Sequence, residues 1–468
     1  MSAPPAPPAP QATPRFAEKR ELILDGAARL FNRRGIKAGT LAEVAASVGL
    51  ATNSLTYYHR KKEDLVCACL ARSIEAINSV ISAAALAPTL ADRLAAFVHG
   101  FVALMADVAE QRRPELIFFG DMRALPQPQA GPVFAAYVEM FRSLRRLLRP
   151  AQGDGLPDDG LPDDGVLRAG LPGAARLGLD ARRALNARSH LLLAEMLWAR
   201  TWLARFEPSD YPRVAAAITD ILLHGLAAPG QAWPAAAALA ELPATPSATP
   251  SATPSATPSA TPSATPAADD LADAYLRTAT GLVNDHGVGG ASVQRIAAKL
   301  ALTKGSFYHH HDTKHGLIDA CFERSFALIR RVQLAALAAP GNGWQRLLAA
   351  TVPLVNVQDP ALACGLGPLL RLTAWTELPG SLRWQKFSTM NQLGERYAAL
   401  VTGGMIDGSI RLLDAAVAAQ LISGMINSLA EAGHWVAAGG RQPLAVLIAR
   451  PLLLGWLAPA PLDGCACR

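Results

Sequence analysis

The sequence predicts an all-α protein made of two related halves. Hydrophobic residues make up 51% of the 468 residues, and Ala and Leu dominate with few β-branched runs, which favours helices packed on helices. Five copies of the tetrapeptide SATP fill residues 247–266, and the segments before and after them resemble each other. These observations indicate two copies of one helical domain joined by a linker.

The linker is defined by its prolines. A Pro at every fourth position excludes helix and sheet and favours an extended, solvated chain. We assign residues 231–267 to this Pro-rich linker, of which residues 243–266 alone would span up to roughly 75 Å at ~3.1 Å per residue. That length allows the flanking domains to meet side by side.

The internal repeat is direct. When shifted by 252 positions, residues 40–65 (TLAEVAASVGLATNSLTYYHRKKEDL) align with residues 292–317 (SVQRIAAKLALTKGSFYHHHDTKHGL) without a gap. The identical pairs include Ala45/Ala297, Ser54/Ser306, His59/His311, Lys62/Lys314, Cys69/Cys321 and Arg72/Arg324. The repeat therefore defines a copy one before the linker and a copy two after it.

The ends of the two copies align at a smaller shift. LLHGLAAP at 222–229 matches LLLGWLAP at 452–459 at a shift of 230, and an insert at 153–174 in copy one accounts for the difference. This insert is rich in Gly, Pro and Asp, but its acidic residues lack the spacing of a calcium-binding loop. We interpret it as a solvated loop.

Each copy begins with an amphipathic helix followed by a short capped helix. Apolar residues at helical spacing define the first helix, which we expect to end at Gly35 in copy one and at Gly287 in copy two. Thr40 and Glu43 form the capping-box pattern that starts the second helix, and Ser292 takes the place of Thr40 in copy two.

A turn and a third helix follow. Gly49 separates the second helix from a third, expected from Thr52 to about His59, and a long fourth helix begins near Lys62 or Lys314. A helix, a tight glycine turn and a second helix form the geometry of a helix-turn-helix. A generic helical hairpin is the alternative, but it does not explain the polar, aromatic and basic residues on the third helix.

Both segments resemble the DNA-binding domain of the tetracycline-repressor (TetR) family. That family has a Ser/Thr-Lys-Gly-Ser/Thr start to its recognition helix, an aromatic–His–aromatic cluster and a Lys that opens the fourth helix. Copy two follows this pattern with Thr303, Lys304, Gly305, Ser306, Phe307, Tyr308, His309 and Lys314. The resemblance implies two TetR-like units, each an N-terminal helix-turn-helix head on a helical ligand-binding and dimerisation bundle.

The resemblance also implies domain boundaries and DNA contacts. The expected domains are a disordered arm at 1–15, heads at 16–77 and 268–329, and ligand-binding and dimerisation bundles at 78–230 and 330–460. The residues expected to contact double-stranded operator DNA are Thr40, Thr52, Asn53, Ser54, Thr56, Tyr57, Tyr58 and Lys62 in copy one, and Ser292, Thr303, Lys304, Gly305, Ser306, Tyr308, His309 and Lys314 in copy two.

The charge distribution agrees with this interpretation. The formal net charge is +6, a modest excess that suits a nucleic-acid binder without establishing one. Arg15, Lys19 and Arg20 precede the expected first helix, and Arg60 and Lys61 lie at the turn into the fourth helix. These side chains would neutralise DNA phosphates.

Both copies depart from the family pattern. Copy one has Thr52 and Asn53 where the family has Lys-Gly, and copy two has Ala301 where a turn Gly is usual. Two functions therefore remain open. The first is a ligand-responsive repressor that reads a palindromic or nearly palindromic operator. The second is a helical ligand-binding or scaffold protein in which one or both heads no longer read DNA.

The histidine run at 309–311 has the composition of a metal site but not its geometry. Successive helical residues point about 100° apart, so three consecutive imidazoles cannot converge on one ion. We expect no metal site and no cofactor, and we expect His59 and His311 to be packed in place of a buried aromatic.

The bundles are predicted to hold the effector and to join the copies. Met105, Trp198 and Trp202 are the candidate residues for binding an unknown small-molecule effector. The final helices of each copy, at about 182–204 with 211–227 and 413–437 with 443–457, are apolar enough for a two-fold four-helix interface. The two copies are expected to pair as an intramolecular pseudo-dimer, and a homodimer of chains is the alternative.

Other function classes lack support in the sequence. There is no Ser-His-Asp, Walker or zinc-hydrolase pattern, so we do not expect an enzyme. The N-terminal residues MSAPPAPPAPQATPRF lack the apolar core of a signal peptide, and no uncharged apolar run reaches the length of a membrane span. Six scattered cysteines without a CxxC pair complete the prediction of a cytoplasmic protein with no membrane partner.

Overall fold

The computed structural model describes residues 14–36, 38–120, 122, 125–149, 173–234, 268–290, 293–299, 313–359, 366–436 and 442–458. Over these ranges the chain is helical, and the extended structure consists of an isolated antiparallel bridge between Ala227 and Ile410. The predicted all-α fold class is confirmed.

The head of copy one contains the four predicted helices. They are α1 (Pro14–Arg34), α2 (Leu41–Ser47), α3 (Thr52–Tyr58) and α4 (Lys62–Ala84). Gly35 follows α1 with φ of +81°, and Gly49 follows α2 with φ of +68°, so both glycines occupy the left-handed region that a residue with a side chain disfavours. The two turns of the head therefore depend on glycine at these positions.

The head of copy two is described in part. Its helices are α9 (Ala268–Gly290), α10 (Val293–Lys299) and α11 (Lys314–Ala338). Helix α9 bends at Gly287, whose φ of +70° is non-helical, as the aligned Gly35 predicted. Thr313 caps α11 by accepting a hydrogen bond from the Gly316 amide at 3.0 Å. The predicted recognition helix of copy two lies outside the described residues.

The remaining helices form the two bundles. In copy one these are α5 (Leu90–Ala109), α6 (Ala130–Leu147), α7 (Gly173–Trp202) and α8 (Tyr211–His224). In copy two they are α12 (Gly343–Asn356), α13 (Gly380–Ile406), α14 (Ala415–Ala432), α15 (Leu444–Leu447) and α16 (Ala449–Leu454). Three short 3₁₀ helices, Leu203–Arg205, Pro208–Asp210 and Leu372–Glu377, complete the helical segments of the described chain.

The last helix of copy two differs from the single helix predicted at 443–457. It is broken at Ile448, whose φ and ψ are −112° and −55°. Pro451 has no N–H and cannot donate the hydrogen bond to the carbonyl three or four residues earlier that a continuous helix needs. Copy one has Ile221 at the aligned position, and there α8 is continuous.

The chain forms two compact units that cut across the two copies. The first contains Met1–Ser79 and Leu104–Met140, and the second contains Val80–Ala103 and Phe141–Arg468. Within the second unit, α7 and α8 of copy one pack against α14 of copy two, while α15 contacts α7 and α16 contacts α8. The core of this unit therefore includes helices from both copies.

Within the described part of the chain, one helix has membrane-like composition. An 18-residue window of α4 reaches a mean hydropathy of 1.4, and 44% of that window is buried inside the protein. By length and composition alone α4 could cross a membrane, but a core helix of a globular protein meets the same criteria.

Candidate nucleic-acid interface

The start of α2 is held by the predicted capping box. The Thr40 hydroxyl accepts a hydrogen bond from the Glu43 amide at 3.2 Å, and the Thr40 amide donates to the Glu43 carboxylate at 3.0 Å. The hydrogen bonds from Thr40, aided by Arg34, hold the pKa of Glu43 below its ordinary value. Thr40, predicted to contact DNA, thus also stabilises the first helix of the helix-turn-helix.

Helix α3 presents a polar face because one apolar residue anchors it. Leu55 is fully buried, whereas Thr52, Asn53, Ser54 and Tyr57 are exposed. The positions of the buried residue and of the exposed residues therefore show which side of α3 faces the core and which side faces solvent. The structure therefore brings most of the predicted DNA-contacting residues of copy one together on one accessible surface.

An aromatic cluster extends this surface. The rings of Tyr57 and Tyr58 lie 5.4 Å apart, and Phe16 from α1 lies 4.7 Å from Tyr58 and 6.2 Å from Tyr57. Tyr57 remains 77% exposed. Phe16 was not predicted as part of this surface; its position among basic residues before Ile23 is the signal that could have indicated it.

The two remaining predicted residues of copy one have local roles. The Thr56 hydroxyl donates to the Asn53 carbonyl at 2.9 Å within α3, and Lys62 is the first residue of α4 and is half-buried. A hydroxyl that donates to the backbone retains its oxygen as an acceptor. Thr56 therefore retains the capacity to accept a hydrogen bond at the surface of α3.

His59 is packed, as predicted. Its side chain is buried, and this burial lowers its pKa, with a further lowering from the charge of Arg20. A buried neutral imidazole next to a basic residue is a packing group. His311, its counterpart in copy two, lies outside the described residues.

The basic residues of copy one that were predicted to neutralise phosphates around the head are exposed, but three of them are placed differently from the prediction. Because α1 begins at Pro14, Arg15, Lys19 and Arg20 lie on its first turns instead of preceding it. Proline is well suited to the first turn of a helix, since the missing N–H would have no partner there. Arg60 and Lys61 are exposed between α3 and α4, as predicted.

One predicted DNA-contacting residue of copy two lies within the described residues. Lys314 is exposed at the start of α11, in the position that Lys62 takes in copy one. The other predicted residues of this head lie outside the described residues; they are Ser292, Thr303, Lys304, Gly305, Ser306, Tyr308 and His309.

The histidine run at 309–311 also lies outside the described residues. Within the described ranges, no group of three or more His, Cys, Asp or Glu side chains is arranged to hold a metal ion.

The candidate effector residues are all buried. Met105, Trp198 and Trp202 are 8%, 7% and 1% exposed. The Trp198 indole N–H donates to the Gln420 carbonyl of α14 at 3.0 Å, so this side chain bridges copy one and copy two. Its role in binding an effector stays a prediction.

The contact between the copies within the second unit is reciprocal. The Leu226 amide donates to the Leu453 carbonyl at 2.8 Å, and the Trp456 amide donates to the Leu222 carbonyl at 2.9 Å. Leu226 and Trp456 are aligned at the shift of 230. Equivalent segments of the two copies thus exchange backbone hydrogen bonds, as expected across an approximate two-fold axis.

A carboxyl group is buried between α7 and α14. Glu195 is fully buried, and neither of its carboxylate oxygens has a hydrogen-bond partner. Gly424 makes room for it, since a Cβ at Gly424 would overlap the carboxylate and lie 2.7 Å from the Trp198 ring. Burial raises the pKa of Glu195 well above its ordinary value. Sequence analysis missed this residue, because one Glu in an apolar helix has no distinctive spacing.

Comparison with known proteins supports the assignment of the heads. The model of the family "Bacterial regulatory proteins, tetR family" matches the chain twice, at residues 23–69 and 276–321. A comparison with curated protein sequences finds no match. The two matched segments coincide with the two predicted heads.

Solved structures of single regulators are similar to parts of the chain. The TetR-family regulator PfmR from Thermus thermophilus shares 17% identity at a TM-score of 0.29, covering 42% of this chain and 95% of PfmR. AibR in complex with isovaleryl coenzyme A and operator DNA shares 22% identity at a TM-score of 0.33, and the match covers 40% of this chain and 98% of AibR. A bacterial regulatory protein of the tetR family from Rhodococcus RHA1 shares 18% identity at a TM-score of 0.32, and the match covers 39% of this chain and 97% of that protein.

The helix-turn-helix of copy one, the repeat that relates it to copy two and the two family matches agree with one another. The chain carries two segments, residues 23–69 and 276–321, that match the model of the tetR family of bacterial regulatory proteins.

Proposed function

We propose that the protein is a ligand-responsive transcriptional repressor of the cytoplasm that binds operator DNA through both heads. The observation that carries the proposal is the exposed face of α3, where Thr52, Asn53 and Tyr57 stand clear of the core on a helix anchored by Leu55. Exposed polar and aromatic side chains on the second helix of a helix-turn-helix suit the major groove. Arg60 adds positive charge beside this face.

Binding to DNA is tested with a salt-dependent gel shift against the DNA upstream of the gene. Each phosphate neutralised by Lys or Arg releases counterions, so the logarithm of the affinity should fall linearly with the logarithm of the salt concentration, with a slope of several units. A slope near zero, or equal affinity for unrelated duplexes at every salt concentration, would favour the scaffold alternative.

We further propose that one chain forms the complete two-headed regulator. The reciprocal hydrogen bonds of Leu226 and Trp456, together with the Trp198 contact to Gln420, support pairing of copy one with copy two. Linking two binding partners in one chain also raises their effective concentration to about millimolar. Light scattering should then report a mass near 49.2 kDa, and a stable dimer of chains would contradict the proposal.

The operator should reflect the differences between the heads. Thr52 and Asn53 align with Lys304 and Gly305, so the two heads present different side chains to the bases. We propose an imperfect palindrome with dissimilar half-sites, spaced about 34–36 Å apart as for a two-headed helix-turn-helix protein. Footprinting of the bound duplex tests this arrangement, and a perfectly symmetric site would argue against it.

We propose that a small molecule bound in the helical bundles releases the DNA. Met105, Trp198 and Trp202 are the candidate contacts in copy one, and the release of operator on ligand binding follows if the ligand prefers the form that binds DNA less well. A screen for small molecules that both raise the melting temperature and release the duplex would identify the effector.

A further inference from the structure

Both copies carry the same set of side chains that clamp a stretch of backbone onto their head. In copy one, Asn32 at the end of α1 donates to the Leu116 carbonyl at 2.8 Å and accepts from the Phe118 amide at 2.9 Å. In copy two, Asn284 does the same with the Leu369 carbonyl at 2.8 Å and the Arg371 amide at 2.9 Å.

A serine adds a third hydrogen bond in each copy. Ser73 of α4 accepts from the Ile117 amide at 2.9 Å, and Ser325 of α11 accepts from the Leu370 amide at 2.9 Å. Both serines are buried. The shift of 252 that relates the heads also relates Asn32 to Asn284 and Ser73 to Ser325.

An arginine and an acid complete the set. Arg72 donates to the Glu115 carbonyl at 2.6 Å and pairs with Glu21 at 3.1 Å.

The aligned Arg324 of copy two donates to the Leu366 carbonyl at 2.7 Å and pairs with Asp273 at 2.6 Å. Asp273 aligns with Glu21 at the same shift. We call each set of asparagine, arginine and serine the latch: Asn32, Arg72 and Ser73 in copy one, and Asn284, Arg324 and Ser325 in copy two.

The latch binds backbone and therefore tolerates divergence of the clamped segment. Its partners in the segments are main-chain N–H and C=O groups at 115–118 and 366–371, apart from the Glu115 carboxylate, to which Asn32 also donates at 3.0 Å. The sequences of the two clamped segments differ. For example, the residue whose amide donates to the latch asparagine is Phe118 in copy one and Arg371 in copy two. By contrast, the latch residues are identical in both copies, although the recognition residues of the two heads are not.

The location of the segments indicates what the latch does. Residues 115–118 lie between α5 and α6, and residues 366–371 lie between α12 and α13, so each segment continues into bundle helices. The latch side chains come from the first helix of the head and from the helix that leaves it. Hydrogen bonds from two different helices to one segment fix its orientation as well as its distance.

We propose that the latch residues are positioning residues that hold each head at a fixed orientation to the clamped segment that leads into its own bundle, so that both heads engage DNA at one half-site spacing. This inference rests on the proposed DNA-binding function.

The test uses the full chain with Asn32→Ala and Asn284→Ala combined, and Asn78→Ala on α4 as the matched control. The probes are the operator duplex selected by the unaltered chain from a random pool, a duplex with a single half-site, and duplexes with the half-site spacing changed by a few base pairs. We expect the latch variant to bind the single half-site as the unaltered chain does. It should bind the full operator about tenfold more weakly, because part of the two-headed advantage is lost, and should discriminate less between spacings.

The spacing series separates positioning from mere support of the fold. If the latch variant loses affinity for the single half-site and the full operator equally, the residues only stabilise the head and the proposal is wrong. Retention of the original spacing preference would also overturn it. The Asn78→Ala chain should behave as the unaltered chain in all three measurements.

Hydrogen exchange gives a readout that does not require DNA. The amides of Phe118 and Arg371, one in each clamped segment, lie outside helices and donate to Asn32 and Asn284, so their protection comes from the two residues that the double variant removes. In the double variant these segments should exchange faster while α2 and α3 keep their protection. If the unaltered chain binds no duplex and the double variant still shows this faster exchange, the DNA-binding proposal fails. The latch would then clamp the segment without positioning a head on DNA. If these amides exchange freely in the unaltered chain, the latch is absent.

Discussion

Gly225 and Gly455 contact each other directly, and each occupies the same place in its own copy. A Cβ on Gly225 would lie 2.6 Å from the Leu453 carbonyl oxygen, and a Cβ on Gly455 would lie 2.6 Å from the Gly225 amide nitrogen. The two glycines are aligned at the shift of 230 that relates the ends of the copies. Equivalent residues of the two copies therefore pack directly against each other.

Replacing Gly455 with alanine should disrupt this contact. The new Cβ would overlap backbone atoms of His224 and Gly225, and Gly455 has φ of +91°, which disfavours any side chain. Overlap and backbone strain together should cost about 2–5 kcal/mol. Urea unfolding measures the loss. Gly230→Ala is the matched control, since φ there is +89° with nothing within 4 Å of the new Cβ, and it should cost only about 1 kcal/mol. Equal losses in both variants would mean that the contact is not tight.

Replacing Glu195 with glutamine should stabilise the protein at neutral and higher pH. Burial raises the pKa of this carboxyl, so the folded chain holds a proton that the unfolded chain has lost above about pH 4.3. Stability from this group is therefore complete below the unfolded value and declines as pH rises towards the folded one. Glutamine has no such proton to lose, and the variant should show a smaller decline.

The measurement is urea unfolding of both chains from about pH 5 to pH 9, a window that begins just above the unfolded value of a Glu carboxyl. His190 and the other histidines are the same in both chains, so their titration cancels in the difference between the two stability curves. Glu75→Gln, at an exposed position on α4, serves as the control for the same substitution made outside the core. A Glu195→Gln chain with an unchanged pH dependence would contradict the buried position of Glu195.

Tyr57 should contribute to DNA binding and not to folding. Its ring is 77% exposed on α3, so Tyr57→Ala should leave the melting temperature nearly unchanged. Loss of one contact to DNA should weaken operator binding by about 1 kcal/mol, roughly fivefold. Leu86→Ala, at a residue that is 87% exposed, provides the control for an exposed side chain lost elsewhere. Fluorescence anisotropy measures the operator affinity of both variants. Equal affinities would mean that Tyr57 does not contact DNA.

Lys314 should act through phosphate and not through bases. It is exposed at the start of α11, and Lys314→Ala should reduce the slope of log affinity against log salt by about one. Sequence preference should be largely retained, because a phosphate contact carries no base information. Binding is measured for the operator and for a mismatched duplex over a salt series. A change in base preference with an unchanged slope would assign Lys314 to base recognition.

The sequence determined the local structure of the heads. The Thr40–Glu43 pattern, Gly35 and Gly49 correctly located the ends of α1 and α2, and Thr52 and Lys62 begin α3 and α4 as predicted. These features depend on residues within a few positions of each other, where capping and left-handed backbone follow directly from residue type. For the same reason, comparison of the two copies was sufficient to recognise the duplication.

Only the tertiary structure decided which residues meet across the chain. The latch of Asn32 and Ser73 binds main-chain groups, and the buried position of Glu195 depends on the absence of a side chain at Gly424. Neither relationship leaves a periodic pattern in the sequence, because backbone partners carry no residue identity and a packing partner is selected by shape. Local hydrogen bonding is encoded by neighbouring residues, whereas the contact of Gly225 with Gly455 exists only once the two copies are packed together.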